Sequence, residues 1–269
     1  MRYALGLLLL LAPQDADLKP PFTFAAYGDC RSGHDVHRKI CQLLVTTDAK
    51  FAIQSGDLVY SGNSEKDWEM WREITKELRE KMPLWSAKGN HDRGKAGTFE
   101  TEFKLEKNRA YYDKRLGNVH FFFIDTNSSM TPQIKWLEEA VPASKAAHKV
   151  AVFHEPPFTL VTTRTKDAEK VAERVHGTLT KLRFCGAICG HDHMFYATRR
   201  DGVMYVITGG GGAPLYDLEE KLAGEGDLYR KIHHYILCTA EEKSVAMQVY
   251  DLEGKAVDGL KFAMCEHRQ

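Results

Sequence analysis

The chain of 269 residues has no excess charge of either sign, no apolar run long enough to cross a bilayer, and no second cysteine pair beside its one close pair. Lys plus Arg and Asp plus Glu both total 37. No basic field therefore exists to draw in a phosphate backbone, and nucleic acid is not an expected partner. The N-terminal apolar stretch, Ala4 to Ala12, has nine residues against the ~20 a spanning helix needs, which predicts no stable membrane span. With Arg2 before it and Pro13 and charge after it, the stretch has the shape of a signal peptide. Residues 1–16 are read as that signal and 17–269 as one exported domain, periplasmic or secreted; the alternative is the apolar start of a cytosolic protein. Cys185 and Cys189 lack the partners a structural zinc site needs, so they are read as small buried hydrophobes or one optional disulfide. No Walker loop, internal repeat or low-complexity tract occurs.

Apolar runs alternate with amphipathic ones. Phe22 to Asp29 (FTFAAYGD) and Phe51 to Asp57 (FAIQSGD) read as buried strands ending in Gly-Asp, and Asp35 to Leu44 has helical spacing. PLWSAKGNHD, VHFFFIDTN, HKVAVFHEPP, CGAICGHDH and GVMYVITGGGG repeat the pattern of an apolar strand running into polar residues. In α/β sheets such strand ends converge on one rim. Later, HHYILCTA and SVAMQVYDLEGKAV predict an antiparallel hairpin turning near Glu241 to Lys243. Strand counting supports an α/β fold without separating a sandwich from a doubly wound sheet.

The polar residues at those ends are Asp29; Asp57 with Tyr60; Asn90, His91 and Asp92; His154; and His191 with His193. Carboxylates with imidazoles suit zinc, manganese or iron. Two Asp, one Asn and three His exceed the needs of one ion and suit two ions sharing a carboxylate, ~3.5–4 Å apart. His191 and His193, at i and i+2, point to one side of an extended segment. His34, His37, His120, His148, His176, His233, His234 and His267 are assigned to surface or packing. Cys30 is expected to be buried and inert. The glycines Gly209 to Gly212 either let backbone pass close to the metals or form a plain turn.

The blocks GDCR, GDLVY, GNHD, VFHEP and GHDH, in this order from Asp29 to His193, resemble those of the calcineurin-like metallophosphoesterase superfamily. The resemblance implies a four-layer αββα sandwich of two mixed sheets flanked by helices. It also implies two metal ions (iron, zinc or manganese), with Asp57 bridging, Asn90, His154 and His191 on one ion, and Asp29 and His193 on the other. Most members carry His where this chain has Arg31. The purple acid phosphatase branch lacks that His and uses GDxxY, which implies Tyr60 as replacement ligand and frees Arg31 to hold substrate; the alternatives are a rim aromatic and an Arg31–carboxylate ion pair.

The implied activity is hydrolysis of a small-molecule phosphate ester by a metal-bridging hydroxide, with His91 protonating the leaving group or holding a phosphoryl oxygen and Asp92 orienting His91. A phosphomonoesterase is the first expectation and a phosphodiesterase, acting on cyclic nucleotides or phospholipid head groups, the second; an inactive scaffold is the third. Rim loops carrying Phe99, Phe103, Phe158, Arg164, Lys166 and Tyr216 are expected to meet the rest of the substrate. The natural substrate and the oligomeric state are not legible in the sequence.

Overall fold

The computed structural model describes residues 18–94 and 97–266, so the expected signal segment lies outside the described residues. Two mixed sheets form the centre. The first contains β1 (Phe22–Tyr27), β2 (Ala52–Gln54), β3 (Leu84–Ser86), β11 (Tyr235–Ala240), β12 (Ser244–Tyr250) and β13 (Ala256–Glu266), in the spatial order β13-β12-β11-β1-β2-β3. The second contains β4 (Tyr112–Leu116), β5 (Val119–Phe123), β6 (His148–Val152), β7 (Gly186–Cys189), β8 (Phe195–Arg200), β9 (Val203–Thr208) and β10 (Leu228–Arg230), in the order β10-β8-β9-β7-β6-β5-β4. β1, β2 and β3 run parallel, as do β5, β6, β7 and β9. These are the strands that end in chemistry.

The residue patterns account for the layers. β5 is buried at every position, as a parallel strand covered on both faces must be. β12 alternates, turning Val245, Met247 and Val249 inward, so only one of its faces meets the core. Between the sheets, Phe24 stacks on Phe51 at 5.0 Å and meets the edge of Phe121 at 5.3 Å. Outside the first sheet lie α1 (His34–Val45), α2 (Glu65–Ile74) and α3 (Lys76–Lys81). Ile40, Cys41 and Leu44 of α1 pack with Leu78 of α3 on one helical face. Ser64 caps α2 by accepting from the Asp67 backbone N–H at 3.2 Å. The short α4 (Thr98–Glu102) leads into β4. α5 (Met130–Ala143) and α6 (Thr165–Lys181) cover the second sheet, α6 through Val171, Val175 and Leu179. The result is the four-layer αββα sandwich that the resemblance implied.

The hairpin turns where expected, with the Glu241 N–H donating to Ser244 O at 2.8 Å. The segment SVAMQVYDLEGKAV is not one strand, however. The Asp251 carboxylate accepts from the backbone of Glu253 and Lys255, and Gly254 takes φ 74°, reversing the chain into β13.

Cys185 bonds to Cys265, 80 residues away in sequence, joining the start of β7 to β13 of the other sheet; Cys189 is a buried free thiol. A loop of that length constrains the unfolded chain by ~4 kcal/mol in the entropic account, and measured values run ~2–5. The Cys185→Ser/Cys265→Ser protein is expected to lose ~2–4 kcal/mol in urea titration.

His234 is wholly buried; its Nδ1–H donates to Ile232 O at 3.0 Å and its Nε2 accepts from the Thr208 hydroxyl at 3.1 Å. Burial, partly opposed by the Ile232 hydrogen bond, holds its pKa down at about 4. The unfolded imidazole titrates near ~6.5, so below that pH the unfolded chain binds the extra proton and stability falls. Between pH ~7.5 and ~5 this residue alone should lower the unfolding free energy by ~2 kcal/mol, a pH dependence that His234→Asn should diminish by that amount.

Candidate metal centre

The site sits where the two sheets meet. β1, β2 and β3 of the first sheet lead to Asp29, Asp57 and Asn90, and β6 and β7 of the second lead to His154, His191 and His193. Asp29, Asp57 and His191 adopt left-handed backbone, at φ 59°, 54° and 70°. Non-glycine residues rarely hold that region, and when they do, strain concentrates at functional positions. The strand ends also approach closely. A Cβ on Gly89 would fall 2.2 Å from the Asp57 N, and one on Gly190 2.5 Å from Asp29 Oδ2. That crowding explains why each of these two ligand positions follows a glycine. The run Gly209 to Gly212 passes along the end of β1, where Gly211 N–H donates to Gly28 O and Ala213 N–H to Asp29 O, both at 2.8 Å.

Backbone carbonyls set two of the imidazoles. His154 Nδ1–H donates to Ser55 O at 2.9 Å, and His193 Nδ1–H to Pro214 O at 2.7 Å, which leaves Nε2 of each neutral ring with its lone pair exposed to the centre. His154 Nε2 then faces Asn90 Oδ1 at 3.2 Å, His191 Nδ1 at 3.2 Å and Asp57 Oδ1 at 3.3 Å. His193 Nε2 lies 3.6 Å from Asp29 Oδ1. Single ligand atoms of Asp29, Asp57 and His154 all come within 4.8 Å of one another, fully buried. Asn90 Oδ1 and Asp57 Oδ1 offer only lone pairs there, so a proton on His154 or a cation must sit between them.

The electrostatics define that demand. Burial opposes a charged His154, yet the Asp57 and Asp29 carboxylates push its pKa up to about 10. Burial raises Asp29, to about 8, with His154 working against the rise and Asp57 with it. Burial holds His193 down at about 4, and burial with the neighbouring His154 also depresses His191, so both rings stay in the neutral form that metal coordination requires. The set of two carboxylates, an amide oxygen and three imidazoles fits metal ions that accept mixed oxygen and nitrogen donors. A second trio, His148 with Cys185 and Cys265, is no metal site because its sulfurs are bonded to each other.

Residues 22–195 match the family model described as calcineurin-like phosphoesterase. The chain belongs to the calcineurin-like phosphoesterase family. This is a family of metal-dependent phosphoester hydrolases, and its relatives include proteins with two-metal centres. The chain is 25% identical over 171 residues to purple acid phosphatase 15 of Arabidopsis thaliana, covering 54% of this chain and 32% of that one, so it spans about a third of that relative. Among solved structures, a purple acid phosphatase from yellow lupin (Lupinus luteus) seeds superposes with a TM-score of 0.80 at 15% identity, covering 92% of this chain and 54% of that one. A dimetal phosphatase from Danio rerio does so with a TM-score of 0.62 at 13% identity, covering 93% of this chain and all of the other.

Four expected residues of this calcineurin-like phosphoesterase stand around the ligands. Arg31 forms the carboxylate ion pair given as its alternative role, with Nε 3.2 Å from Asp57 Oδ2, but off the line of a hydrogen bond, so the buried Nε–H has no hydrogen-bond acceptor. Tyr60 is 60% exposed, with the Arg31 guanidinium 5.9 Å from its ring centre. His91 donates from its backbone to Asp57 Oδ1 at 3.0 Å, and its ring Nδ1–H donates to Tyr60 O at 2.7 Å, which leaves Nε2 as the ring atom for proton transfer.

Asp92 sits elsewhere than beside the His91 ring. Its carboxylate turns under the loops and accepts backbone N–H groups of Asp57 (2.9 Å), Leu58 (2.8 Å), Val59 (3.2 Å) and Gly89 (2.8 Å). It binds together the two loops that carry Asp57 and Asn90.

Of the rim residues, Arg164 touches His191 Nε2 and donates to the Tyr216 hydroxyl at 2.9 Å, while the Tyr216 ring stacks on His193 at 4.1 Å. Phe99 and Phe103 instead pack in a separate apolar cluster with Trp68 and Trp71, and Phe158 packs on His176 and Tyr205. Sequence reading missed Ser55 and Pro214, which act through main-chain carbonyls that side-chain identity does not signal.

Proposed function

We propose that the chain is a dinuclear metal-dependent phosphoesterase, a phosphomonoesterase similar to purple acid phosphatases. The observation that carries this reading is the convergence of oxygen and ring-nitrogen atoms of Asp57, Asn90, His154 and His191, with Asp29 and His193 beside them, at the seam of the sheets. Asp57 lies between the two groups and is the shared carboxylate. Ions bound there would supply Lewis acidity to the phosphoryl oxygens and acidify the attacking water.

The chain's own residues bind and move protons. Arg31, charged and short of a hydrogen-bond acceptor at Nε, is placed to hold a phosphoryl oxygen beside Asp57. His91, held by the Tyr60 carbonyl, presents Nε2 to the leaving oxygen as general acid. Tyr60 is the least supported ligand, because its ring lies at the exposed rim. Export is supported by the disulfide, which persists in oxidising compartments. Among the described residues no helix is long and apolar enough to cross a membrane.

The deciding assay is hydrolysis of an aryl phosphate monoester against the diester by protein reconstituted with iron, zinc or manganese, with Asn90→Ala as control. Monoester turnover that falls ~100-fold or more in the control is expected. Diester preference would replace the monoesterase with a phosphodiesterase, and stoichiometric metal binding without turnover of either ester would overturn both.

A further inference from the structure

We infer that the cleft beside the metal centre is a subsite for a second anionic group of the substrate, a phosphate or carboxylate carried by the leaving group. The inference rests on the phosphoesterase reading above. The cleft holds about 450 Å³, and Asn90 and His191 form part of its wall, so a leaving group extending from a phosphoryl group at the ligands enters it. That volume suits a small metabolite. Pro156, Ala168 and Val171 give an apolar surface against which a carbon skeleton can lie.

The charges in the cleft are unevenly satisfied. Lys170 pairs with Asp167 at 2.7 Å, and Arg164 approaches Asp192 at 3.5 Å. Arg174 is pinned by neutral acceptors instead, donating to Lys170 O at 3.1 Å and Thr126 O at 3.3 Å, so its charge is positioned but not neutralised. Among the described residues, neither Arg93 nor Arg174 is paired with a carboxylate. Once the pairs are set aside, these two guanidinium groups share the cleft with one carboxylate, Glu155, and a net positive charge remains.

A third observation points the same way. The Asn127 side-chain N–H₂ on the cleft wall is buried and has no hydrogen-bond partner. An unsatisfied buried donor is destabilising, and an anionic oxygen would relieve it. Guanidinium, a second guanidinium and an orphaned amide donor form a set that recognises an oxyanion and gains little from a neutral alcohol.

The test uses the metal-reconstituted full chain and paired substrates. Fructose 1,6-bisphosphate against fructose 6-phosphate adds a phosphate, and 3-phosphoglycerate against glycerol 3-phosphate adds a carboxylate. At least one doubly anionic substrate should show kcat/KM roughly tenfold above its partner, and that ratio should fall roughly tenfold in Arg174→Gln or Arg93→Gln. A ratio near one in the wild type, or one unchanged in both variants, overturns the subsite. If no ester is hydrolysed, the phosphoesterase reading is what fails, and calorimetric titration with 3-phosphoglycerate and with fructose 1,6-bisphosphate then judges the subsite. Binding that weakens in either variant supports it; absent or unaltered binding overturns it.

Discussion

Asp57→Asn protein should fold like the wild type and lose turnover by about a thousandfold or more, in line with removing a group aimed at the reacting charge. Asp57 lies 3.3 Å from His154 Nε2 and receives the His91 N–H, so it is fixed from both sides of the ligand set. The amide keeps that shape while removing the negative charge two ions would share. In metal-free protein the substitution relieves repulsion from Asp29, but it weakens the contact with Arg31 and removes the carboxylate that does most to keep His154 protonated. The urea midpoint without metal should therefore fall modestly below the wild-type value. Wild-type protein at metal concentrations ~100 times Kd should gain ~2.7 kcal/mol, and the variant should gain little. Equal metal-induced stabilisation in both proteins would remove Asp57 from the bridging position.

Asp92→Ala should act through stability rather than chemistry. The substitution leaves four buried N–H groups, of Asp57, Leu58, Val59 and Gly89, without their acceptor. Each orphaned donor costs ~1–3 kcal/mol, so a total loss above ~4 kcal/mol is expected, enough to unfold many domains. Asp92→Asn keeps one acceptor oxygen but turns an amide N–H toward other donors, and should lie between. The measurement is the metal-free unfolding free energy of both variants. Wild-type stability combined with lost turnover would return Asp92 to the role of orienting His91.

The contrast between these two aspartates shows what residue order conveys. The convergence of Asp29, Asp57, Asn90, His154 and His191 was legible because each follows a buried strand, and parallel strands deliver their ends to one rim. The glycines at 89 and 190 were legible as letters, but their reason, backbone of one loop pressed against the next, exists only in three dimensions. Asp92 misled because adjacency to His91 suggests a pair, whereas the turn sends its carboxylate beneath the loops. Arg164 and Tyr216 lie 52 residues apart in sequence and meet only over the ligands. Cys265 could not be paired by spacing, since its partner is 80 residues away on another sheet.

That pairing has a mechanical consequence. Cys185 stands at the opposite end of β7 from His191, so the covalent tie between the sheets is far from the rim where the ligands of both sheets meet. The two sheets are thus fastened at both ends, by the sulfur bridge at one and by the polar residues that converge on the rim at the other. Between those two ends the apolar core, with Phe24 against Phe51 and Phe121, joins the halves whether or not ions are bound.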